Sequence, residues 1–349
     1  MNQKCRIVLS AGLFLLVSHV WAQVLSGPPA PPNLLGKSFR DRWIQLPMPL
    51  GDWGAVACSD DGRNVLDASV YGPVYLSHNY GLSWTRVGAL YGMMDFTFLP
   101  NGRKIFAAGG GGLYESNDGG STWSKNPMSG IEGETLYYGW RSVHASANGS
   151  VLAVLSATWI GFLAVSTNSG VSWELTGAGF WTVDVSADGK TMVGVASGSG
   201  GPRSVYISRD SGKTWNPTSS PETFWNDVKI STDGRTIVAL KGFFDVFYPD
   251  TDKADMIYVS TDFGVTWEPR FPPIGIWNEI ICPANAKTMV LVPDGFIFRS
   301  PPCVSYDGGK SWHTKNDPFN GLIGVACSAN GEIMYASSLW SGTYIYLSK

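Results

Sequence analysis

Histidine is nearly absent, with four residues in a chain of 349, one of them His19 in the N-terminal apolar run. Charge is scarce too, at 15% Asp, Glu, Lys and Arg together, with a formal net charge of −3. A balance on the acidic side argues against a nucleic-acid partner, which needs a basic face, and against tight binding to anionic lipid. No pair of cysteines has CxxC spacing, so a zinc site has no support. Serine-nucleophile and P-loop patterns are missing, and nothing in the sequence implies a cofactor or a metal. Helical periodicity is hard to find. After the N-terminus no apolar run is long enough to cross a bilayer.

Small and aromatic residues are plentiful: 42 Gly, 21 Pro and 15 Trp, with 13% aromatics overall. Short alternating runs bounded by Gly, Asn and Asp dominate, which is the signature of strands and hairpins. Lys4 and Arg6 precede an apolar run from Ile7 to Val20, and Val20-Trp21-Ala22 fits a cleavage site, so residues 1–22 read as a signal peptide and the mature chain as exported. Residues 23–37 hold Pro28, Pro29, Pro31 and Pro32 and read as a stiff tether.

Two repeats interleave from Ser38 to Lys349. The first is S-x-D-x-G-x-T-W, clearest from Ser260 to Trp267, with further copies starting at Ser77, Ser116, Ser166, Ser208 and Ser305. Its Ser and Asp can bond backbone N–H groups of their own turn, and its Gly supplies a positive φ. Asn79 and Asn168 stand where other copies have Asp. Asn keeps the acceptor oxygen without the charge, so the stretch is a structural turn. The second repeat centres on Asp61-Gly62, Asn101-Gly102, Asn148-Gly149, Asp188-Gly189, Asp233-Gly234, Asn285-Ala286 and Asn330-Gly331, a hairpin signal between apolar runs.

Seven hairpins of one kind and six of the other, at a spacing of about forty to fifty residues, suit four strands per unit and a propeller blade. Tyr344 to Ser348 matches the strand entering a box, and the sequence then stops. Trp43 stands ten residues before Trp53, as Trp215 stands before Trp225. The strand around Arg42 to Leu46 is therefore expected to be the outer strand of the last blade. The fold read from the sequence is all-β: a seven-bladed propeller over residues 38–349, with four-stranded antiparallel blades and the last blade closed by the N-terminal strand.

The first repeat resembles the Asp-box (BNR) repeat of sialidases, xyloglucanases and sortilin-type receptors, in which it is a turn on the face away from the active site. The sialidase arginine triad finds no match: Arg63, Arg103 and Arg235 lie in hairpin turns, and Phe39-Arg40-Asp41-Arg42 lacks the Ile-Pro of the family segment. Photosystem II assembly factors have a similar pattern, but their Arg-rich patch has no clear counterpart here.

Chemistry is expected at the mouth opposite the boxes. Counting back from each turn glycine gives Trp53, Met93, Trp140, Phe180, Trp225, Trp277 and Leu322. Trp140, Trp181, Trp225 and Trp277, with Arg141, Asn226 and Asn278 beside them, form a candidate ligand-binding set, with at least one Trp face expected to be open for a sugar ring. Asp227 and Glu279, with Asp95, are the alternative reading: a carboxylate pair for glycoside hydrolysis. Asn148-Gly149-Ser150 is an N-glycosylation sequon. Insertions at 130–138 and 242–255 are candidate specificity loops. Cys58, Cys282, Cys303 and Cys327 allow three full pairings, and the sequence does not choose among them. The functional expectation is a secreted, monomeric binding module for glycan or extracellular matrix, without catalysis. A glycoside hydrolase and a protein-interaction scaffold are the alternatives.

Overall fold

The structure is a computed structural model, and it describes residues 43–49, 52–70, 72–131, 139–158, 161–197, 203–242, 257–273, 275–282, 286–293, 301–314, 322–338 and 342–347. The leader, the tether and most of both candidate specificity loops lie outside these residues, as does Asn285.

The described residues are all-β, with several four-stranded antiparallel sheets and no helix. Strand β1 (Trp43–Gln45) comes first and pairs elsewhere. One sheet is β2 (Trp53–Cys58), β3 (Val65–Ser69), β4 (Pro73–Ser77) and β5 (Thr85–Tyr91). The next is β6 (Met93–Phe98), β7 (Ile105–Gly109), β8 (Gly112–Ser116) and β9 (Ser124–Lys125). A seven-stranded sheet follows: β10 (Trp140–Ala145), β11 (Leu152–Ser156), β12 (Phe162–Ser166), β13 (Glu174–Val185), β14 (Met192–Ala196), β15 (Val205–Ser208) and β16 (Asn216–Pro217). Then come β17 (Trp225–Ile230), β18 (Ile237–Lys241), β19 (Ile257–Ser260) and β20 (Glu268–Arg270). A fifth sheet holds β21 (Trp277–Ile281), β22 (Met289–Pro293), β23 (Cys303–Ser305) and β24 (His313–Thr314). The sixth is β25 (Leu322–Cys327), β26 (Ile333–Ser338) and β27 (Gly342–Leu347), with β1 added at its outer edge.

Strand β13 does two jobs. Glu174, Leu175 and Gly179 pair with β12, whereas Phe180 to Val185 pair with β14. The seven-stranded sheet is thus two successive arrays sharing one long strand. Among the described residues six hydrogen-bonded sheets are present where the repeat count predicts seven units.

Each Asp box closes its turn on itself. Two successive residues adopt positive φ, as in Phe263 (62°) and Gly264 (82°). A Cβ on Gly264 would lie 2.7 Å from Thr218, so the second position needs glycine. Ser260 Oγ donates to Asp262 Oδ1 and accepts the Gly264 N–H, while the Thr266 N–H and hydroxyl donate to the two Asp262 oxygens. The Asn copies invert one bond: Asn79 Nδ2 and Asn168 Nδ2 donate to Ser83 Oγ and Ser172 Oγ. In five boxes the Trp Nε1–H donates to the box glycine carbonyl. These bonds hold the exposed carboxyls of Asp118, Asp210, Asp262 and Asp307 down to about 2. Asp262→Ala is expected to lower the melting temperature by a few degrees and to leave ligand binding intact below it. Loss of binding with an unchanged melt would contradict a purely structural box.

The second kind of hairpin is closed in the same local way. Ser59 Oγ donates to Asp61 Oδ1, which also accepts the Arg63 N–H. These turns also join neighbouring sheets: Ala147 N–H donates to Ala187 O, Ala187 N–H to Thr232 O, and Ala329 N–H to Asp60 O. The last of these bonds ties the sheet of β25 to that of β2. Trp43, Ile44 and Gln45 of β1 face Tyr346, Ile345 and Tyr344 of β27 in antiparallel register, the pairing expected from the sequence. The apolar cores lie between neighbouring sheets. One joins Val325 and Cys327 to Ile281, Val290 and Val292, and another joins Val193 and Val205 to Trp225 and Ile237.

Candidate functional site

The first strand of each sheet, together with the second half of β13, packs against its counterparts in the neighbouring sheets. In all seven of these strands the register slips between the first and third residues, as between Trp140 and Ser142, Trp225 and Asp227, and Trp277 and Glu279. A β-bulge adds a residue and re-aims the side chains around it. It turns the first-position rings into the core rather than toward the mouth.

The rings are accordingly buried: Trp140 is 1%, Trp225 6% and Trp277 2% exposed. Trp225 packs edge-on to Tyr258 and near Trp267, and Phe180 lies 4.4 Å from Trp215. The expectation that one of the three tryptophans offers an open face fails, and with it the stacking surface on which glycan binding rested. Trp277→Ala is expected to cost about 3–5 kcal/mol of stability, the usual loss for a large buried ring, as read from urea unfolding. A loss under about 1 kcal/mol would contradict a core role.

Second-position residues stay at the rim, half-buried: Arg141, Trp181, Asn226 and Asn278. The Arg141 guanidinium lies over the Trp181 ring, 4.8 Å from its centroid, and donates to the Phe180 and Trp181 carbonyls. Burial lowers its pKa to about 10, so it stays cationic at neutral pH. Asn226 Nδ2 donates to the Asn278 carbonyl at 2.5 Å. These groups tie the start of one strand to the next.

The third and fifth positions hold acids that act as staples. Asp95 accepts the N–H of Phe96 on its own strand and of Val143 on the next sheet. Asp184 does the same with Val185 and Ile230, and Asp227 with Val228 and Ile280. Each carboxylate thus satisfies edge donors that no ladder reaches. Asp227 also accepts the Thr182 hydroxyl and lies 3.2 Å from Lys229 Nζ. Asp95, Asp227 and Glu279 are buried among the described residues, not exposed at a mouth, and the oxygens of Asp95 and Asp227 are taken up by backbone N–H groups.

Lys229, Asp184 and His144 belong to this interior and did not stand out in the sequence. Burial pulls the Lys229 ammonium down, but Asp227, Glu279 and Asp184 more than offset it, and its pKa ends above the usual value. His144 Nδ1 lies 3.8 Å from Asp184 Oδ1. Period-two alternation could have found them, since Asp227 with Lys229, and Thr182 with Asp184, share a strand face.

Cys58, Cys282, Cys303 and Cys327 are all free and buried, and burial raises every thiol, Cys327 to about 12. Asn148 is exposed in its turn, and its Oδ1 accepts Ser146 Oγ, Ser150 N and Ser150 Oγ. A cleft of about 280 Å³ lies away from the interior acids, between Glu174 and Leu175 of β13 and the turn at Ser211 to Lys213. No helix among the described residues is long and apolar enough to cross a membrane.

Residues 258–269 match the family model of the BNR/Asp-box repeat. A stretch of 47 residues is 40% identical to the chloroplastic photosystem II stability/assembly factor HCF136 of Cyanidioschyzon merolae. That match spans 14% of this chain and 11% of the relative, about a tenth of the curated protein's length. Among solved structures, YCF48 bound to D1 peptide is 16% identical, with a TM-score of 0.60 over 88% of this chain and 96% of that one. YCF48 from Cyanidioschyzon merolae is 14% identical, with a TM-score of 0.62 over 88% and 98%. An ancestral GH74 enzyme is 17% identical, with a TM-score of 0.61 over 87% of this chain and 46% of that one. At these identities the likeness is one of fold, that of BNR-type β-propellers. The curated relative is a stability/assembly factor and one of the similar structures holds a peptide, which counts against the expectation of a glycan-binding module.

Proposed function

We propose that this chain is a protein-interaction scaffold whose ligand is a polypeptide. The observation that carries the reading is the 40% identity to an assembly factor over 47 residues. The fold likeness to YCF48, solved with a D1 peptide bound, supports it. So does the interior, where tryptophans and acids are spent on holding sheets together.

The scaffold is read as a closed ring of seven blades. Splitting β13 into its two halves gives seven four-stranded sets. The β1–β27 pairing and the bond from Ala329 N to Asp60 O support closure between last and first. Such a ring is a rigid frame that presents loops at fixed positions. We also propose export, from the signal-like residues 1–22, and glycan attachment at Asn148 in the exported protein.

Cross-linking mass spectrometry of the full chain in an extract of its source cells tests the function. Reproducible cross-links from its lysines to one polypeptide are expected. Cross-links confined to the chain itself, at concentrations that label its lysines fully, would count against the scaffold.

A further inference from the structure

We propose that Glu279 is a built-in proton site: the folded chain holds a proton on this carboxyl at neutral pH, and folding is coupled to taking it up. Glu279 is the third residue of β21 and is 0% exposed. Among the described residues neither Oε1 nor Oε2 has a hydrogen-bond partner. Asp95, Asp184 and Asp227 each accept two backbone N–H groups, so Glu279 stands apart from its neighbours in having none.

The charged groups around it leave it in surplus. From β17 come Lys229 and Asp227 and from β6 Asp95, while Asp184 of β13 acts on the same lysine and His144 of β10 lies 3.8 Å from Asp184. The corresponding positions on β25 and β2 hold Gly324, Ala326, Ala55 and Ala57, and β21 itself adds Ile281, none of which carries charge. Four carboxyl groups therefore share one lysine, and that lysine is 3.2 Å from Asp227. An ionised carboxylate without a donor in a dry interior costs more than keeping its proton. Burial raises the Glu279 pKa well above the ordinary value, Lys229 opposes this, and Asp227 and Asp95 push it further up.

The sign of the linkage follows. A carboxyl whose folded pKa is raised contributes stability that is complete below the unfolded pKa of about 4.3. That stability is lost as pH rises toward the folded value. Within this window one extra bound proton lowers the folding equilibrium constant by up to about tenfold per pH unit. Asp67, pushed up to about 7 by burial against the hydrogen bonds from Thr343 and Ser337, supplies a separate proton and keeps its own slope.

Urea unfolding of the full chain between pH 5 and pH 8 tests this, comparing wild type with Glu279→Gln. The amide mimics the neutral acid in shape. The variant is expected to lose one proton's worth of pH slope and to be at least as stable as wild type at pH 8. An unchanged slope with equal destabilisation at every pH would overturn the proposal. Should the variant not fold, infrared spectroscopy of Asp67→Asn decides, because Asp67 adds its own carboxylic-acid band near neutral pH. A carboxylic-acid C=O band that persists at pH 8 in the folded Asp67→Asn chain, and vanishes on unfolding, is expected, and its absence would overturn the proposal.

Discussion

A chain ending at Thr343 is expected not to fold. Removing residues 344–349 takes away most of β27, whose Tyr344, Ile345 and Tyr346 are all buried. Tyr346 lies 5.2 Å from the Trp43 ring and faces it across the β1–β27 ladder. Ile345 and Tyr346 belong to two different cores, one shared with β2 and β6 and one shared with β21 and β22. Each large side chain returned to water forfeits about 1.5–3 kcal/mol, and β1 and β26 both become open edges. Three such losses rival the whole stability of a typical domain, about 5–15 kcal/mol. Circular dichroism and size-exclusion chromatography read the outcome. A truncated chain with the wild-type melting temperature and elution volume would contradict the role given to this strand.

The second large effect is expected at Lys229. Among the described side chains at the third and fifth strand positions it alone carries a fixed positive charge, and it is 1% exposed. Lys229→Met leaves Asp227 and Asp184 buried without their shared cation. Breaking a buried pair on one side typically costs about 3–5 kcal/mol. Asp227→Asn added to Lys229→Met is expected to recover part of that loss, because it removes the stranded charge, at the cost of one acceptor: the amide oxygen can keep the Ile280 N–H or the Val228 N–H but not both. Equilibrium unfolding of both variants measures this. A double variant no more stable than the single one would show that charge is not what Lys229 supplies.

Turns were legible because their chemistry is local. Ser260, Asp262, Gly264 and Trp267 close a box from within eight residues, and the structure has those bonds. The pairing of β1 with β27 was legible too, since Trp43 shares its spacing with other outer-strand tryptophans. The first-position rings were not. Their direction depends on a bulge, and a bulge depends on the neighbouring strand rather than on residues nearby in sequence. Trp140, Trp225 and Trp277 do begin their strands, but they turn inward.

The acids were misread for a related reason. Asp227 and Glu279 stand in the same register, so a catalytic pair could be written down. Asp227 accepts Val228 N–H on its own strand and Ile280 N–H on the next sheet, whereas Glu279 has no hydrogen-bond partner among the described residues. The sequence carries no mark of which edge N–H groups lack a ladder partner, and it is these that fix what each carboxylate does.

Under the proposed function the chain recognises polypeptide and not sugar. The most direct measurement is to apply one labelled, folded sample to a peptide array tiling the proteins of its source and, in parallel, to a glycan array. Saturable binding to a small set of peptides, lost on heating through the melting transition, with no signal on the glycans, is the predicted result. Saturable glycan binding with a silent peptide array would contradict the account.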